Sequence, residues 1–405
     1  MVSDIGAPAH ERIGAARRWA MLVVSTTAQA SSAAMVHGPA FLIPALHSEG
    51  GMSLAEAGAV AAASMAGLMC TLIVWGLVVD RRGERFAMLI GLAGVVAAGT
   101  VASLAGGVAP MAIALFVAGA SSGATNAASG RVVVGWFPPE RRGLAMGIRQ
   151  CAQPLGVGAG ALTMAVIAAH THAQVAIWVP TGLAAVALVL VAAVLIDPPR
   201  PPAHQAAEAP NPYRADGYLA RVHGTSAILV VPQFVVWTFG LTWLVEDLGW
   251  AAGAAGVVVA GTQLIGAAGR IGAGHLSDAV SSRLRPMRWI AWAACATMLL
   301  LGALMGLSGT LAEIAAVVLL VVASAITVAD NGLAYAAVAE RAGPFWSGRA
   351  LGIQNTTQYV VAAVVPPAAG AVIAATSYGA GFALAGVLPL AAVLLVPVRG
   401  EREIG

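Results

Sequence analysis

Long apolar stretches separated by short polar or Gly/Pro-rich breaks set the rhythm of this chain. The stretches fall near residues 19-46, 54-79, 86-105, 109-137, 143-169, 174-196, 223-245, 251-276, 288-307, 311-338, 350-375 and 379-398. Each is long enough for one helix to cross a hydrocarbon core, which takes ~20 residues at ~1.5 Å rise. The pattern predicts an all-α polytopic membrane protein with twelve transmembrane helices. The stretch from Trp19 follows Arg12, Arg17 and Arg18 and is too long for a cleaved leader, so it reads as a first span that is retained.

The second half of the pattern repeats the first. Ala124-Thr125-Asn126 is echoed by Ala329-Asp330-Asn331, and Gly147-Ile148-Arg149-Gln150 with Gln153 by Gly352-Ile353-Gln354-Asn355 with Gln358. A membrane chain that repeats itself this way is built from two pseudo-symmetric six-helix bundles, an architecture that secondary transporters use. Between the halves the apolar pattern stops. From Asp197 to about Asp216, Pro198, Pro199, Pro201, Pro202, Pro210 and Pro212 break any helix, and His204, Gln205 and Glu208 keep the stretch polar. The expected organisation is a bundle over 1-196, a cytoplasmic linker over 197-221 and a second bundle over 222-405.

Composition agrees with a life in lipid. Hydrophobic residues make up 59% of the chain and charged residues 10%, against about a quarter charged in soluble domains. The net charge of +3 points to no nucleic acid, because all 21 basic residues are arginines and 18 of them cluster at the ends of apolar runs. Arg81, Arg82 and Arg85 follow span 2, Arg141 and Arg142 span 4, Arg200, Arg214 and Arg221 span 6, Arg283, Arg285 and Arg288 span 8, Arg341 and Arg349 span 10, and Arg399 and Arg402 span 12. The alternate loops hold no arginine. By the positive-inside rule both termini are cytoplasmic in a multi-pass plasma-membrane protein. Cys70, Cys151 and Cys295 stand apart inside apolar runs and read as small core residues.

The end of span 2 reads Gly76-Leu77-Val78-Val79-Asp80-Arg81-Arg82-Gly83-Glu84-Arg85. It resembles the signature loop of the major facilitator superfamily, and a second copy stands 198 residues on as Gly274-His275-Leu276-Ser277-Asp278, with Arg283 matching Arg85. The resemblance covers essentially the whole chain. It implies a gate at the cytoplasmic ends of the helices, carried by Gly76, Asp80, Arg81, Gly83, Arg85 and Asp278, in which Asp80 caps a neighbouring helix and pairs with arginines. Within the superfamily, Val134-Gly135-Trp136-Phe137-Pro138-Pro139-Glu140-Arg141-Arg142-Gly143 and Gly269-Arg270-Ile271-Gly272-Ala273-Gly274 resemble the oxalate/formate antiporter, monocarboxylate transporter and anion:cation symporter branches. That similarity implies that Arg270, on the eighth helix, binds a substrate anion. Two positions depart from it: Gly266 stands where some monocarboxylate carriers keep an aspartate, and span 11 has no lysine. The drug/proton antiporter branch is the alternative, although Leu115 stands where those proteins have an arginine and Pro154-Leu155-Gly156-Val157-Gly158-Ala159-Gly160 matches their fifth helix only in part.

Arg131, Arg149, Arg270 and Asp330 lie inside predicted spans, where each charge costs about 3 kcal/mol by insertion scales. Arg131 is near the cytoplasmic end of span 4, either a cavity charge or a gate residue that pairs with Asp80. Arg149 and Arg270 are each eight residues from a loop marker, Arg141 and Asp278, hence roughly 12 Å deep. An anionic substrate would relieve two such cations; otherwise each clasps a backbone carbonyl or Asp330. Asp330 is the candidate proton carrier, with a fixed arginine partnership as the structural alternative. Gln29 and Gln233, and Asn126 and Asn331, correspond between the halves, Gln263 is two turns before Arg270, and Gln354 is in the second repeat; all are candidate cavity-lining amides, or simply joints between helices.

Three intramembrane arginines against one aspartate leave a surplus of positive charge that favours anions over lipophilic cations. The expected function is secondary active transport of a small organic anion, a carboxylate first, by proton symport or anion exchange. Drug export is the runner-up and a membrane sensor a remote third. The partners are the substrate, protons and the lipid bilayer, with no nucleic acid, and the protein is a monomer. His37, His170 and His172 read as interfacial rather than metal-binding. No cofactor is expected, and the HExxH, GxSxG and Walker patterns of common enzymes and pumps are absent.

Overall fold

The computed structural model describes residues 13–48, 51–199 and 210–401. Arg12, Arg200, Arg402 and the linker residues Pro201, Pro202, His204, Gln205 and Glu208 lie outside the described residues. Among those described there is no strand. The helices are α1 (Ala15–His37), α2 (Ile43–Ser48), α3 (Leu54–Arg82), α4 (Glu84–Leu104), α5 (Val108–Trp136), α6 (Pro139–Gln150), α7 (Ala152–His170), α8 (Ala173–Val194), α9 (Pro212–Ala215), α10 (Tyr218–Thr242), α11 (Ala252–Ala279), α12 (Leu284–Met305), α13 (Thr310–Ala329), α14 (Asn331–Ala342), α15 (Ser347–Ala375) and α16 (Tyr378–Leu395).

Eleven helical segments among the described residues are long and apolar enough to cross a membrane, and the helix missing from that set is the first. The reason is local: Ser25, Thr26, Thr27, Gln29, Ser31 and Ser32 dilute the apolar content of α1, although its 23 residues would span. The predicted first span is also not continuous, since a 3₁₀ turn (Gly38–Leu42) joins α1 to α2. Two other spans are interrupted. Span 5 consists of α6 and α7, broken at Cys151, three residues before Pro154, whose missing N–H leaves the Gln150 carbonyl without its helical donor. Span 10 consists of α13 and α14, broken at Asp330. At the end of the linker, α10 begins at Tyr218, so residues 218–221 are its first turn.

Large apolar side chains are exposed along the helices, among them Leu104, Leu162, Leu311 and Leu394, each more than 70% exposed. Only a hydrocarbon solvent tolerates such surfaces, and every backbone group within a helix is already paired. The same circumstance explains Cys70, which is exposed on α3 rather than in the core; Cys151 and Cys295 are buried as expected. In a membrane span an apolar side chain has lipid as an alternative to the interior.

By their contacts the residues form two compact units. The first comprises Met1–Pro138, Arg149–Ala209 and Ala342–Thr356, and the second Pro139–Ile148, Pro210–Arg341 and Thr357–Gly405. Within the first, α5 packs on α1, α3 and α4, and α8 on α1 and α4. Within the second the same pairings recur: α13 packs on α10, α11 and α12, and α16 on α10 and α12. The interior of the second unit is built on Val235, Trp243, Leu244, Met298, Leu320 and Phe382.

Candidate functional site

Two glycine crossings fix the signature loops. A Cβ added to Gly76 would lie 2.4 Å from the Gly348 carbonyl oxygen, so α3 and the start of α15 meet backbone to backbone inside the first unit. The crossing sets Asp80, one turn further along α3, over the first turn of α15. Its carboxylate accepts from the backbone N–H groups of Gly348 at 2.8 Å and Arg349 at 3.0 Å and from the Arg349 Nε at 2.9 Å. Arg131 donates to Asp80 at 2.8 Å and holds Glu84 at 2.8 Å through Nε. Arg131 is thus a clamp between two carboxylates that are 2% and 0% exposed.

The second unit repeats the device. A Cβ on Gly274 would meet the Gly143 carbonyl oxygen at 2.2 Å, and Asp278 accepts from the N–H groups of Gly143 at 2.9 Å and Leu144 at 2.8 Å, in α6. Its cation is Arg283, at 2.5 Å, which also reaches Ser277 at 2.8 Å and Glu340 at 3.2 Å. Burial works against the charge on Arg283, yet Glu340 and Asp278 hold its pKa above the ordinary value. Arg283 and Arg85 match in motif position but not in contacts. Arg85 is exposed, donates its side chain to the Ala192 carbonyl at 2.7 Å and its backbone N–H to Asp197 at 2.8 Å, and belongs to a different contact. Arg81 is exposed in the last turn of α3, and Gly83, at φ +104°, makes the reversal between α3 and α4. In the sequence Glu84, beside three arginines, reads as solvated charge; its burial shows only in three dimensions.

The amides come together in pairs, one in each unit. In the first, Gln29 Nε2 donates to Asn126 Oδ1 at 3.3 Å and Ser129 Oγ donates to Gln29 Oε1 at 2.8 Å. Arg149 completes this network: Nε donates to Ser129 at 2.9 Å, Nη2 to the Asn126 carbonyl at 2.8 Å and Nη1 to Gln150. Its side chain is 1% exposed. In the second unit, Asn331 Nδ2 donates to Gln233 Oε1 at 3.1 Å. Gln358 Nε2 then donates to Asn331 Oδ1 at 2.9 Å and to Ser226 at 2.7 Å, while Tyr335 donates to Gln358 at 3.0 Å. Gln354 is fully buried in α15, and Gln263 is half-buried on α11.

Arg270 and Asp330 lie together in the second unit. Arg270, on α11, is 3% exposed and sits with its guanidinium 6.0 Å from the centre of the Trp237 ring, a cation–π placement. Asp330, 1% exposed at the break between α13 and α14, lies within electrostatic reach of Arg270. Its Oδ2 has no hydrogen-bond partner among the described residues. A buried carboxylate oxygen left without a donor is costly, so it calls for an explanation. Trp237 carries no signal in the sequence, since a tryptophan in a membrane span usually packs against lipid. Among the described residues no group of three His, Cys, Asp or Glu could hold a metal ion.

Comparison with known proteins gives a consistent family. The model of the Major Facilitator Superfamily matches residues 20–366. Two uncharacterized MFS-type transporters of Mycobacterium tuberculosis, from strains CDC 1551 and H37Rv, are each 46% identical over 390 residues, covering 95% of this chain and 86% of theirs. Among solved structures, the E. coli fucose:proton symporter superposes with a TM-score of 0.74 at 15% identity, covering 94% of this chain and 98% of that one. The proton:xylose symporter XylE bound to 6-bromo-6-deoxy-D-glucose gives 0.75 at 15%, covering 94% and 95%. The human organic anion transporter MFSD10 gives 0.70 at 20%, covering 95% and 100%. At these identities the structural matches establish the fold alone.

Proposed function

Since this chain belongs to the major facilitator superfamily and is a secondary transporter, not an enzyme, we propose that its cargo is a small organic anion, a carboxylate first, moved by proton symport or by anion exchange. The observation that carries the reading is the buried Arg270 beside Asp330 in the second unit. Arg270 presents a planar fork to which a carboxylate binds bidentately, and the Trp237 face holds the guanidinium in place. Burial and the Arg270 charge act on Asp330 in opposite senses. An anion on Arg270 cancels the charge that favours ionised Asp330, so anion and proton load together, and release of the anion returns the proton.

Arg149, in the first unit, is the second candidate cation for an anionic cargo. Its three side-chain hydrogen bonds keep a guanidinium buried where its field favours negative charge, while the network around Gln29, Asn126 and Ser129 fixes its position. Gln233, Asn331, Gln263 and Gln354 contribute polar lining. Asp80 and Asp278 act as the gating caps with Gly76, Arg81, Gly83, Arg85 and Arg131. The protein is a monomer in the plasma membrane with both termini in the cytoplasm. Cysteines placed at exposed Ser281 and Ser308, with Cys70 replaced, test that orientation: Ser308→Cys should label from outside intact cells and Ser281→Cys should not.

The substrate class is tested in proteoliposomes carrying the purified protein, offered labelled monocarboxylates, dicarboxylates and sugar acids, with ethidium as the competing cargo. Uptake of a carboxylate, enhanced by an imposed proton gradient, supports the reading. Extrusion of ethidium with no response to any anion would replace it with drug export.

A further inference from the structure

Three arginines converge at one end of the second unit from three different elements. Arg221 is in the first turns of α10, Arg288 in the second turn of α12, and Arg399 in the 3₁₀ turn Val398–Gly400 that follows α16. They line a cavity of about 760 Å³ together with Trp289 and Trp292, one turn apart on α12. Both tryptophans are about half exposed, at 47% and 54%. Asp216 is the acidic residue in the lining, and its carboxylate is already engaged by Arg341. The cavity therefore presents net positive charge. Arg221 uses Nε on the Leu395 carbonyl at 2.9 Å and Nη2 on the Leu394 carbonyl at 3.5 Å, closing the end of α16, and three of its five N–H groups remain.

We propose that this cavity is a binding site for the headgroup of an anionic phospholipid. Guanidinium groups bind phosphate through paired, charge-assisted hydrogen bonds, and three of them on one cavity, with its single carboxylate Asp216 taken by Arg341, make a surface suited to an anion. The tryptophans identify its source. Half-exposed indoles on the outer side of a spanning helix belong at the level where acyl chains meet headgroups, so the ligand arrives from the bilayer with its chains along α12 and α16. The volume lies within the range of small-molecule sites and holds a glycerophosphate headgroup. The occupant is a structural lipid of the arginine-rich side. It ties the turn after α16 to the first turns of α10 and α12, none of which takes part in the Arg270–Asp330 site.

The test uses the full-length protein in detergent, titrated with phosphatidylglycerol, phosphatidylcholine or inorganic phosphate, with bound lipid counted by native mass spectrometry and stability followed by thermal shift. Phosphatidylglycerol should remain bound and raise the unfolding temperature, while the other two do neither. In Arg288→Gln/Arg399→Gln its affinity should fall roughly twenty-five-fold, two arginines at about fivefold each. If that double variant does not fold, Arg399→Gln alone, on an exposed turn, should show about a fivefold loss. The proposal is overturned if phosphatidylglycerol binds the variants as well as the parent protein, or if inorganic phosphate gives the same shift, which would make the cavity a site for a soluble anion. Carboxylate transport is scored separately, so a lost lipid site and a wrong cargo give different results.

Discussion

The two units share a scaffold and differ in where they keep charge. Each has a glycine crossing with an aspartate cap, Gly76 with Asp80 and Gly274 with Asp278, and each has a glutamine–asparagine pair, Gln29 with Asn126 and Gln233 with Asn331. At the positions that repeat over the same offsets, the first unit has Leu72 where the second has Arg270, and Thr125 where the second has Asp330. Leu72 is fully buried and Thr125 donates to the Ser122 carbonyl at 2.9 Å, both ordinary ways to complete a membrane helix. Conversely the first unit holds Arg149 in a closed network, and its repeat partner is the neutral Gln354. The duplicated positions build the frame, and the proposed transport site rests on the unmatched charges.

The largest effect expected from breaking this comparison lies at the first cap. Arg131→Met leaves Asp80 and Glu84 buried without the cation between them, a loss of about 3–5 kcal/mol. Its denaturation midpoint should drop sharply, and adding Glu84→Gln should recover part of the loss. Arg283→Met should cost less, because its second partner Glu340 is 20% exposed and also pairs with Arg142, whereas Glu84 is fully buried. Equal losses at Arg131 and Arg283 would mean that the two caps are energetically equivalent after all.

A second contrast separates the two deep arginines. Arg270→Lys keeps the charge and loses the fork, so apparent substrate affinity should fall roughly tenfold or more, as for a lost charge-assisted hydrogen bond, with stability little changed. Arg149→Lys should show the reverse emphasis. A lysine ammonium cannot reach Ser129, Gln150 and the Asn126 carbonyl together, so unfolding should be easier by about 1–2 kcal/mol with a smaller change in affinity. Transport titrations and thermal unfolding of both variants decide it; an unchanged affinity in Arg270→Lys would make that arginine structural.

The smallest effect concerns the amide pairs. Asn331 bonds Gln233 and Gln358, whereas the Asn126 side chain takes one bond from Gln29. At about 0.6 kcal/mol for a typical hydrogen bond between membrane helices, Asn331→Ala should destabilise more than Asn126→Ala by roughly that amount. Thermal unfolding of the two single variants reads the difference directly, and the reverse order would sink the bond-count argument.

The sequence was most legible where charge stands against an apolar background. The apolar spans and the arginine-flanked loops follow from that contrast, and the capping role of Asp80 follows from the resemblance of its loop to the family signature. It was least legible where a residue's meaning depends on a distant neighbour. Glu84 reads as surface charge until α5 brings Arg131 to it. Arg85 and Arg283 occupy matching motif positions, yet one meets the Ala192 carbonyl and the other Asp278, because different residues follow the two loops. Arg149 looked as exposed to substrate as Arg270, and only the convergence of Ser129 and the Asn126 carbonyl shows the clasp. The interruption of the first span at Gly38 was hidden by the apolar residues on either side of it.

The central claim is that the unmatched carboxylate of the second unit couples proton to anion, and the most direct measurement is accumulation against counterflow in Asp330→Asn proteoliposomes. With a labelled carboxylate outside and an inward proton gradient, the parent protein should concentrate substrate. The variant should fail to do so while still exchanging labelled for unlabelled substrate at a comparable rate. If Asp330→Asn continues to accumulate substrate in response to pH, the proton travels by another group and the account is wrong.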